Sequence, residues 1–311
     1  MRSVDDILQE LEEGVRKVYE SGNYAEYLRM LSKFHRYSTS NNILIGMQRE
    51  NCTMLAGYQS WKKNFGRTVK RGEKGIRIIV PFLKAEKKRD PKKKDAVGLG
   101  RAISEMAYDE VEIMRMKFKT AYVFDVSQTE GKPLPSIMEP TVGSVEDYKC
   151  MCDVMQMLCP VPVFYEDLDG ESEGLYYFND RIIIKPGMNE ARTISALAHE
   201  IAHSILHKRP DVIDTRAAYS LGEVQAESVA YTFCQYFGID TKCNSFGYIV
   251  DWSVDKTTKD LTDSLDVIRA TASWLIRNVE ELMAKYSPDD RWKTGDLPTE
   301  YMGKMAVKWV F

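Results

Sequence analysis

Two histidines and a glutamate form a His-Glu-x-x-His pattern in the second half of the chain. They are His199, Glu200 and His203. On a helix, the two histidines lie on one face with Cβ atoms about 5–6 Å apart, so both imidazoles can bind one Zn²⁺. Glu200 is turned by about 100° around such a helix, where it can take a proton from a metal-bound water instead of binding the metal. The spacing therefore indicates a zinc-dependent hydrolytic site.

The segment that carries this pattern has the periodicity of an amphipathic helix. We predict a helix over residues 189–207, and Pro210 follows it as a helix stop. The apolar residues that recur at helical spacing are Ile194, Leu197, Ala198, Ile201, Ala202, Ile205 and Leu206.

A catalytic zinc site needs a third protein ligand and one open position. A second helix, predicted over residues 222–237, offers Glu223, and Glu227 lies one turn further along the same face. We expect Glu223 to bind the metal and Glu227 to accept a hydrogen bond from the outer nitrogen of a ligand histidine. The reverse assignment of the two glutamates is the alternative.

His207 continues the four-residue spacing of His199 and His203. Three histidines in this series span about 12 Å of a straight helix, too far for all of them to reach one ion. We expect His207 to face the last carbonyls of the helix, with a place in the substrate pocket as the alternative. Tyr219, His207 and Tyr231 are the candidate oxyanion donors.

Length and composition indicate a two-domain globular protein. The chain has 311 residues, 44% hydrophobic and 29% charged. No apolar run approaches the roughly 20 residues that a membrane span needs, and the acidic N-terminus is unlike a signal peptide. We therefore expect a cytoplasmic protein without a membrane partner, whose six cysteines are free thiols.

The net charge of −3 is unevenly distributed. Residues 1–140 contain 26 Lys and Arg against 19 Asp and Glu, whereas the remainder contains 17 against 27. Residues 55–81 interleave aromatic residues with seven cations, which suits single-stranded nucleic acid because cations contact phosphates and exposed rings stack on bases. The alternative is a solvated basic hairpin with Tyr58 and Trp61 in the core. The residues concerned are Tyr58, Trp61, Phe65, Lys62, Lys63, Arg67, Lys70, Arg71, Lys74 and Arg77.

The remaining periodicity supplies a scaffold. We predict helices over residues 4–19, 24–36, 42–48, 144–159 and 260–286, with Ser144 as an N-cap. We interpret 38–42 as a polar break that can cap the helix that follows it. Strands are predicted over residues 76–81, 114–126 and 161–165, and a hairpin over 175–185 turns at Asn179. Residues 84–109 are interpreted as a flexible insertion, and residues 288–311 give no prediction.

Three segments of the first half resemble ArdC-like antirestriction proteins and the related LtrC-type proteins of conjugative elements. They are Tyr37–Ile45, the Ala56–Ile76 run and Val123–Gly131. The second half resembles the zincin-like peptidase domain of the same proteins, and its histidine segment is closer to ImmA/IrrE-type peptidases. This resemblance implies a single-stranded-DNA-binding domain, on whose surface we place Tyr37, Asn41, Tyr58, Trp61, Lys62, Arg67, Lys70, Arg71 and Lys74. It also implies a third metal ligand from the helix that contains Glu223 and Glu227.

We therefore expect an α+β fold in two domains. Residues 1–135 would form a mixed α/β DNA-binding domain, 136–143 a linker, and 144–311 a minimal gluzincin-like peptidase domain. The expected protein is an antirestriction-type factor of a mobile genetic element that binds single-stranded DNA and cleaves peptides with Zn²⁺. The alternatives are a DNA coat with structural zinc, and an ImmA-like peptidase that cleaves a repressor.

Overall fold

The computed structural model describes residues 4–20, 23–89, 110–134, 145–170, 172–207, 216–240, 253 and 256–287. Its first part begins with three helices, followed by short strands, a short helix and a long β-hairpin. These elements are α1 (Val4–Val18), α2 (Asn23–Phe34), α3 (Thr39–Gln48), β1 (Leu55–Gly57), α4 (Tyr58–Asn64), β2 (Arg67–Val69), β3 (Ile76–Arg89), β4 (Glu110–Asp125) and β5 (Thr129–Gly131).

Strands β1, β4 and β3 form an antiparallel sheet in that order, and β2 pairs with β5. Ile76, Ile78 and Val123 lie on one face of the larger sheet and are buried against Phe34 and Ile45 of the preceding helices. Side chains alternate along a strand, so Phe118 and Tyr122 of β4 lie on the opposite face, where both are exposed.

The polar segment 38–42 caps the next helix, as expected, because the Ser38 hydroxyl accepts a hydrogen bond from the Asn41 N–H at 3.3 Å. Most of the segment is helical rather than a break, since α3 starts at Thr39, three residues before the predicted start. Residues 58–64 form a helix that was not predicted, and Trp61 is buried, as the alternative of a hairpin with Trp61 in the core expected. The predicted insertion is partly regular, because β3 continues to Arg89 and β4 starts at Glu110, with residues 90–109 outside the described part.

The second part packs helices on a small mixed sheet. Its elements are α5 (Val145–Leu158), β6 (Val163–Tyr165), β7 (Gly174–Tyr177), β8 (Arg181–Ile184), α6 (Glu190–Leu206), α7 (Arg216–Tyr236) and α8 (Thr258–Tyr286). Strand β8 lies between β6, which is parallel to it, and β7, which is antiparallel. The predicted hairpin is confirmed, with Asn179 in the left-handed region at φ 54°. Helix α7 begins six residues before the predicted start.

Helices of both parts share one hydrophobic core. Leu28 and Leu31 of α2 are fully buried in the same cluster as Val224 of α7 and Leu265 of α8. Hydrogen bonds cross the same boundary: the Tyr24 and Ser228 hydroxyls are 2.9 Å apart, and the Arg29 Nε–H donates to the Tyr231 hydroxyl at 3.1 Å. Helices α1 to α3 are therefore docked on the helices that carry the candidate site.

The α+β fold class is confirmed, whereas several predicted features lie outside the described residues. These are Ser144, Pro210, Cys243, the linker 136–143 and the tail 288–311. The five cysteines within the described part are free, as expected. Within that part, no helix is both long enough and apolar enough to cross a membrane.

Candidate metal centre and nucleic-acid surface

Helix α6 fixes the histidine pair and the intervening glutamate. It begins at an N-cap, where the Asn189 side chain accepts a hydrogen bond from the Arg192 N–H at 2.9 Å. Its apolar face, which includes Leu197 and Ile201, is fully buried. With this face held in the core, His199 and His203 are directed toward α7.

His199, His203 and Glu223 converge on one point. Their ligand atoms all lie within 4.8 Å of one another, the one such group found among the described residues. The Nε2 atoms of the two histidines are 2.9 Å apart, and the Glu223 carboxylate oxygens lie 3.5 Å from His199 Nε2 and 3.4 Å from His203 Nε2. Tetrahedral Zn²⁺ with metal–ligand bonds of 2.0–2.1 Å needs ligand atoms about 3.3 Å apart. The donor set and its spacing thus fit a divalent metal ion.

The electrostatics of Glu223 suit a ligand. Burial by itself would raise the pKa of this carboxyl group, but hydrogen bonds from His199 and His203 outweigh burial and hold the pKa well below its ordinary value. The group therefore stays ionised, as a carboxylate ligand must be.

Glu200 lies beside this cluster and outside the ligand set, as the helical spacing predicts. It is buried, and burial raises the pKa of its carboxyl group above the ordinary value. Strand β7 passes directly beside it: the backbone of Tyr176 gives it a hydrogen bond, and a Cβ added at Gly174 would lie 2.7 Å from Glu200 Cγ. Only a glycine leaves the carboxylate room next to this strand.

The predicted nucleic-acid residues divide into two groups by burial. Trp61 is fully buried and its indole N–H donates to the Phe124 carbonyl at 2.9 Å, while Asn41 is buried and pairs with the backbone of Ile79 through both its amide atoms. A buried indole cannot stack on a base. Trp61 and Asn41 therefore lie in the interior and support the predicted DNA-binding surface. Tyr37 is half-buried beside Phe34.

The predicted cations also differ in how they are engaged. The Arg67 guanidinium donates to Thr129 and to the Lys132 carbonyl, and the Lys70 ammonium donates to the Ser127 carbonyl. Lys70 is exposed all the same, as are Lys62, Arg71 and Lys74.

Exposed aromatic residues continue from Tyr58 onto the outer face of the β1-β4-β3 sheet. Tyr58, Phe118 and Tyr122 are 47%, 55% and 58% exposed. Tyr58 contacts Phe124 edge-on, with ring centroids 6.2 Å apart. Tyr122 is paired across the strands with Arg77. This row of rings, Phe118, Tyr122, Phe124 and Tyr58, is called the aromatic face below.

Both parts of the chain match known protein families. Residues 2–124 match the N-terminal domain of the anti-restriction factor ArdC, and residues 159–242 match a peptidase family described as the IrrE N-terminal-like domain. This is an ArdC-like chain with an IrrE-like second domain. The two matches divide the site residues cleanly, because the aromatic face lies within the first and the metal cluster within the second.

Solved structures agree with this fold. Two crystal structures of the antirestriction ArdC protein from the R388 plasmid, one metal-free and one Mn(II)-bound, give TM-scores of 0.55 and 0.53. Each is 17% identical and covers 89% of this chain and 98% of the ArdC chain. An uncharacterised protein of Bacillus anthracis is 24% identical over 310 residues, which make up 90% of this chain and 52% of that protein. The ArdC-like chain thus spans about half the length of this curated relative.

Sequence reasoning about the IrrE-like domain missed the surroundings of His207. This residue caps the C-terminus of α6, but its ring does not face the last carbonyls. Its Nδ1 lies 2.9 Å from His203 Nδ1, and its Nε2 lies 3.3 Å from Gln225 Oε1. The spacing from His203 was visible in the sequence, whereas Gln225 gave no signal because it comes from another helix.

Three other predicted site residues, Glu227, Tyr231 and Tyr219, lie in the IrrE-like domain. Glu227 is half-buried one turn beyond Glu223, near enough for its charge to act on His199. The Tyr231 hydroxyl accepts a hydrogen bond from Arg29, about 12 Å along α7 from Glu223. Tyr219 belongs to the first turns of α7, where the structure describes the backbone alone.

In the ArdC-like domain, sequence reasoning missed Phe118 and Tyr122. Their alternation in β4 was visible, but the same alternation is typical of core strands. Only the packing of Phe34 and Ile45 on Ile76, Ile78 and Val123 shows which of the two faces is covered by helices.

Proposed function

We propose that this ArdC-like chain is an antirestriction-type protein that binds single-stranded DNA with its first domain and hydrolyses peptide bonds with its second. The observation that carries the proposal is the convergence of His199, His203 and Glu223 beside the buried Glu200. Two imidazoles, one carboxylate and a separate acid–base residue make up the residue set of a hydrolytic metal site.

His199, His203 and Glu223 would hold the metal, and Glu227 would steady a ligand histidine. We propose Zn²⁺ because this ligand set is the one that catalytic zinc prefers, with Mn²⁺ tested in parallel because one solved relative is Mn(II)-bound. A divalent cation in this site supplies Lewis acidity, which polarises the scissile carbonyl and lowers the pKa of water.

Glu200 performs the proton transfers in this proposal. Its carboxylate accepts the proton of the attacking water and returns it to the departing amine. Its raised pKa suits both roles, because a base that holds its proton too weakly does not take it from water. The fixed position beside Gly174 and Tyr176 keeps the carboxylate next to the cluster.

Strand β7 is the proposed platform for the peptide. Among the described strands it pairs only with β8, and it passes directly beside Glu200. A substrate in extended conformation can add to such an edge through backbone hydrogen bonds.

The aromatic face and its neighbouring cations form the proposed DNA-binding surface. Tyr58 and Tyr122 are exposed, Gly75 lies against Tyr122, and the exposed Lys74 precedes Gly75 in the chain. Base stacking on such rings, together with phosphate contacts from Lys62, Arg71 and Lys74, favours single strands over duplex.

The first experiment compares wild type with Glu200→Gln. We measure metal content, affinity for a fluorescent single-stranded oligonucleotide, and cleavage of labelled casein as an unstructured probe. Glu200→Gln should keep about one metal ion and the DNA affinity, and should lose cleavage by at least about 100-fold. Wild type that binds no zinc or manganese would refute the peptidase proposal.

The second experiment tests the DNA surface. Tyr58→Ala and Tyr122→Ala should each weaken binding by about 1–3 kcal/mol, and affinity should fall steeply with salt. Tyr286→Ala is the matched control, because Tyr286 is 49% exposed but lies at the end of α8 in the other domain. Equal affinity of all three variants and wild type would exclude the aromatic face.

Transfer of a plasmid into a restricting host distinguishes the peptidase from a protective coat. If cleavage is the biological output, Glu200→Gln loses protection. If the protein acts as a coat, Glu200→Gln protects fully and Tyr122→Ala does not.

A further inference from the structure

The outer side of the candidate metal centre contains a second pair of polar side chains. His207 is half-buried one turn after His203, and its backbone N–H donates to the His203 carbonyl at 2.8 Å. Its ring nitrogens meet His203 Nδ1 at 2.9 Å on one side and Gln225 Oε1 at 3.3 Å on the other. Gln225 is buried in α7, two residues after Glu223.

The proton positions along this chain of contacts follow from the metal site. His203 directs Nε2 at His199 and Glu223, so Nε2 is its ligand atom and its Nδ1 must carry the proton. His203 Nδ1–H then donates to His207 Nδ1, which has to be the unprotonated nitrogen of that ring. His207 Nε2 therefore carries its proton and donates it to Gln225 Oε1, since an amide oxygen only accepts.

The chain of contacts also joins the two helices that supply the ligands. His203 belongs to α6 and His207 is its C-cap, whereas Gln225 and Glu223 belong to α7. One path between the helices runs through the ligand atoms, and the other runs through His207 on the opposite side of the His203 ring. A ring held at both nitrogens cannot rotate away from the metal.

We propose that His207 and Gln225 form a positioning pair that fixes the tautomer and orientation of His203 and thereby raises the affinity of the site for its divalent cation. A neutral histidine here takes the place of the carboxylate that usually orients a ligand histidine. This inference rests on the metal site of the proposed function. His207 itself does not touch the metal in this arrangement.

The test is the zinc affinity of apoprotein, measured by competition with a chromophoric chelator. His207→Phe and Gln225→Leu should each bind zinc about 10- to 100-fold more weakly than wild type, as loss of an outer partner does elsewhere. The double variant should be no weaker than His207→Phe, because the two residues act as one unit. Gln225→Glu, which keeps an acceptor oxygen, should restore affinity to within about threefold of wild type.

If His207 and Gln225 had only a structural role, their substitution would change the stability of the apoprotein, and all variants would bind zinc with similar affinity. Apoprotein melting is therefore measured on every variant, and Gly222→Ala is the nearby control, since its Cβ would lie 3.5 Å from the His207 ring in ordinary contact. If His207→Phe fails to fold, Gln225→Leu and Gln225→Glu still decide the matter because both rings remain.

The outcomes separate this inference from the proposed function. Wild type that binds no zinc would overturn the metal site and the positioning pair together. Wild type that binds zinc, with His207→Phe and Gln225→Leu within twofold of it, would overturn the positioning pair alone. A changed visible spectrum of the Co²⁺-loaded His207→Phe variant, with one ligand fewer, would make His207 a ligand and would also overturn the pair.

Discussion

At the residue scale, the role of each side chain in the site depends on one or two neighbours that the motif does not contain. Strand β7 comes within contact distance of Glu200, the proposed proton-transfer group, at Gly174. His203 presents Nε2 to the cluster while its other nitrogen meets His207. The residues of the motif are thus held in position by neighbours from β7 and from the C-terminal end of α6.

Gly174→Ala should reduce cleavage without removing the metal. A Cβ at this position would lie 2.7 Å from Glu200 Cγ and 2.8 Å from its Oε1, so the Glu200 side chain must move away. A displacement of about 1 Å costs about 100-fold in rate when the moved group takes part in the chemistry. The measurement is cleavage of labelled casein together with metal content.

The control for this variant is Gly57→Ala in the first domain, where an added Cβ meets nothing within 4 Å. Wild-type cleavage by Gly174→Ala would show that Glu200 does not need its present position.

His35 should make the protein less stable as the pH falls. Burial, together with the nearby Arg36 and Arg277, lowers the pKa of His35 to about 3, and its Nδ1 lies 3.2 Å from the Ser273 hydroxyl. The unfolded chain then binds one more proton than the folded protein between about pH 6.5 and 3. The free energy of unfolding therefore decreases by up to about 1.4 kcal/mol per pH unit in that range.

Urea unfolding between pH 7 and 4 checks this, with His35→Asn as the comparison. The variant should be less stable at pH 7 but should lose less of its stability on acidification. Equal pH slopes for both proteins would contradict the lowered pKa.

At the element scale, the segments that carry the family resemblance mainly stabilise the interior of the domain. The Asp125 carboxylate accepts hydrogen bonds from the backbone N–H groups of Thr53, Met54 and Ser127, and Gln128 bonds to Glu73 and Lys74. These contacts hold the loops between the strands in place. The family resemblance of these segments therefore predicts the fold of the domain more directly than it predicts which residues bind DNA.

Asn41→Ala should therefore lower stability and leave DNA affinity nearly unchanged. The Asn41 amide pairs with both the N–H and the carbonyl of Ile79, at 2.8 and 2.9 Å, and ties α3 to β3. Removing it leaves two backbone groups unpaired at a cost of about 2–3 kcal/mol. Urea unfolding and oligonucleotide binding at low temperature measure the two effects.

Asn64→Ala serves as the comparison, because its exposed side chain bonds only to Ser60 and should matter by less than about 0.5 kcal/mol. If Asn41→Ala lost DNA binding while its stability stayed unchanged, Asn41 would be a DNA-binding residue after all.

At the scale of the whole molecule, the two sequence domains are joined by a shared core. Helix α2 of the ArdC-like domain packs on α7, which carries Glu223, and the core between them is continuous. The division at residues 136–143 stays a prediction about the sequence. In the folded chain, the first three helices cover part of the apolar surface of α7 and α8.

The chain should consequently unfold in one transition. Leu28→Ala, a truncation in the shared core, should cost about 2–5 kcal/mol and should destabilise both domains equally. Hydrogen exchange followed by mass spectrometry is the measurement, with peptides from β4 and α6 as reporters. Loss of protection in β4 alone would show that the domains are energetically independent.

The sequence by itself determined the helix that carries His199, Glu200 and His203, the second helix with its glutamates, and the resemblance of both halves. These features are local, since a helix places residues four apart on one face wherever it is packed. Tertiary structure alone decided that Glu223 lies opposite the two histidines, that Trp61 and Asn41 are internal, and that Gln225 meets His207. Each of these features depends on which faces of separate elements pack together. Packing between distant segments is set by the whole core, so it produces no regular spacing in the sequence from which it could be predicted.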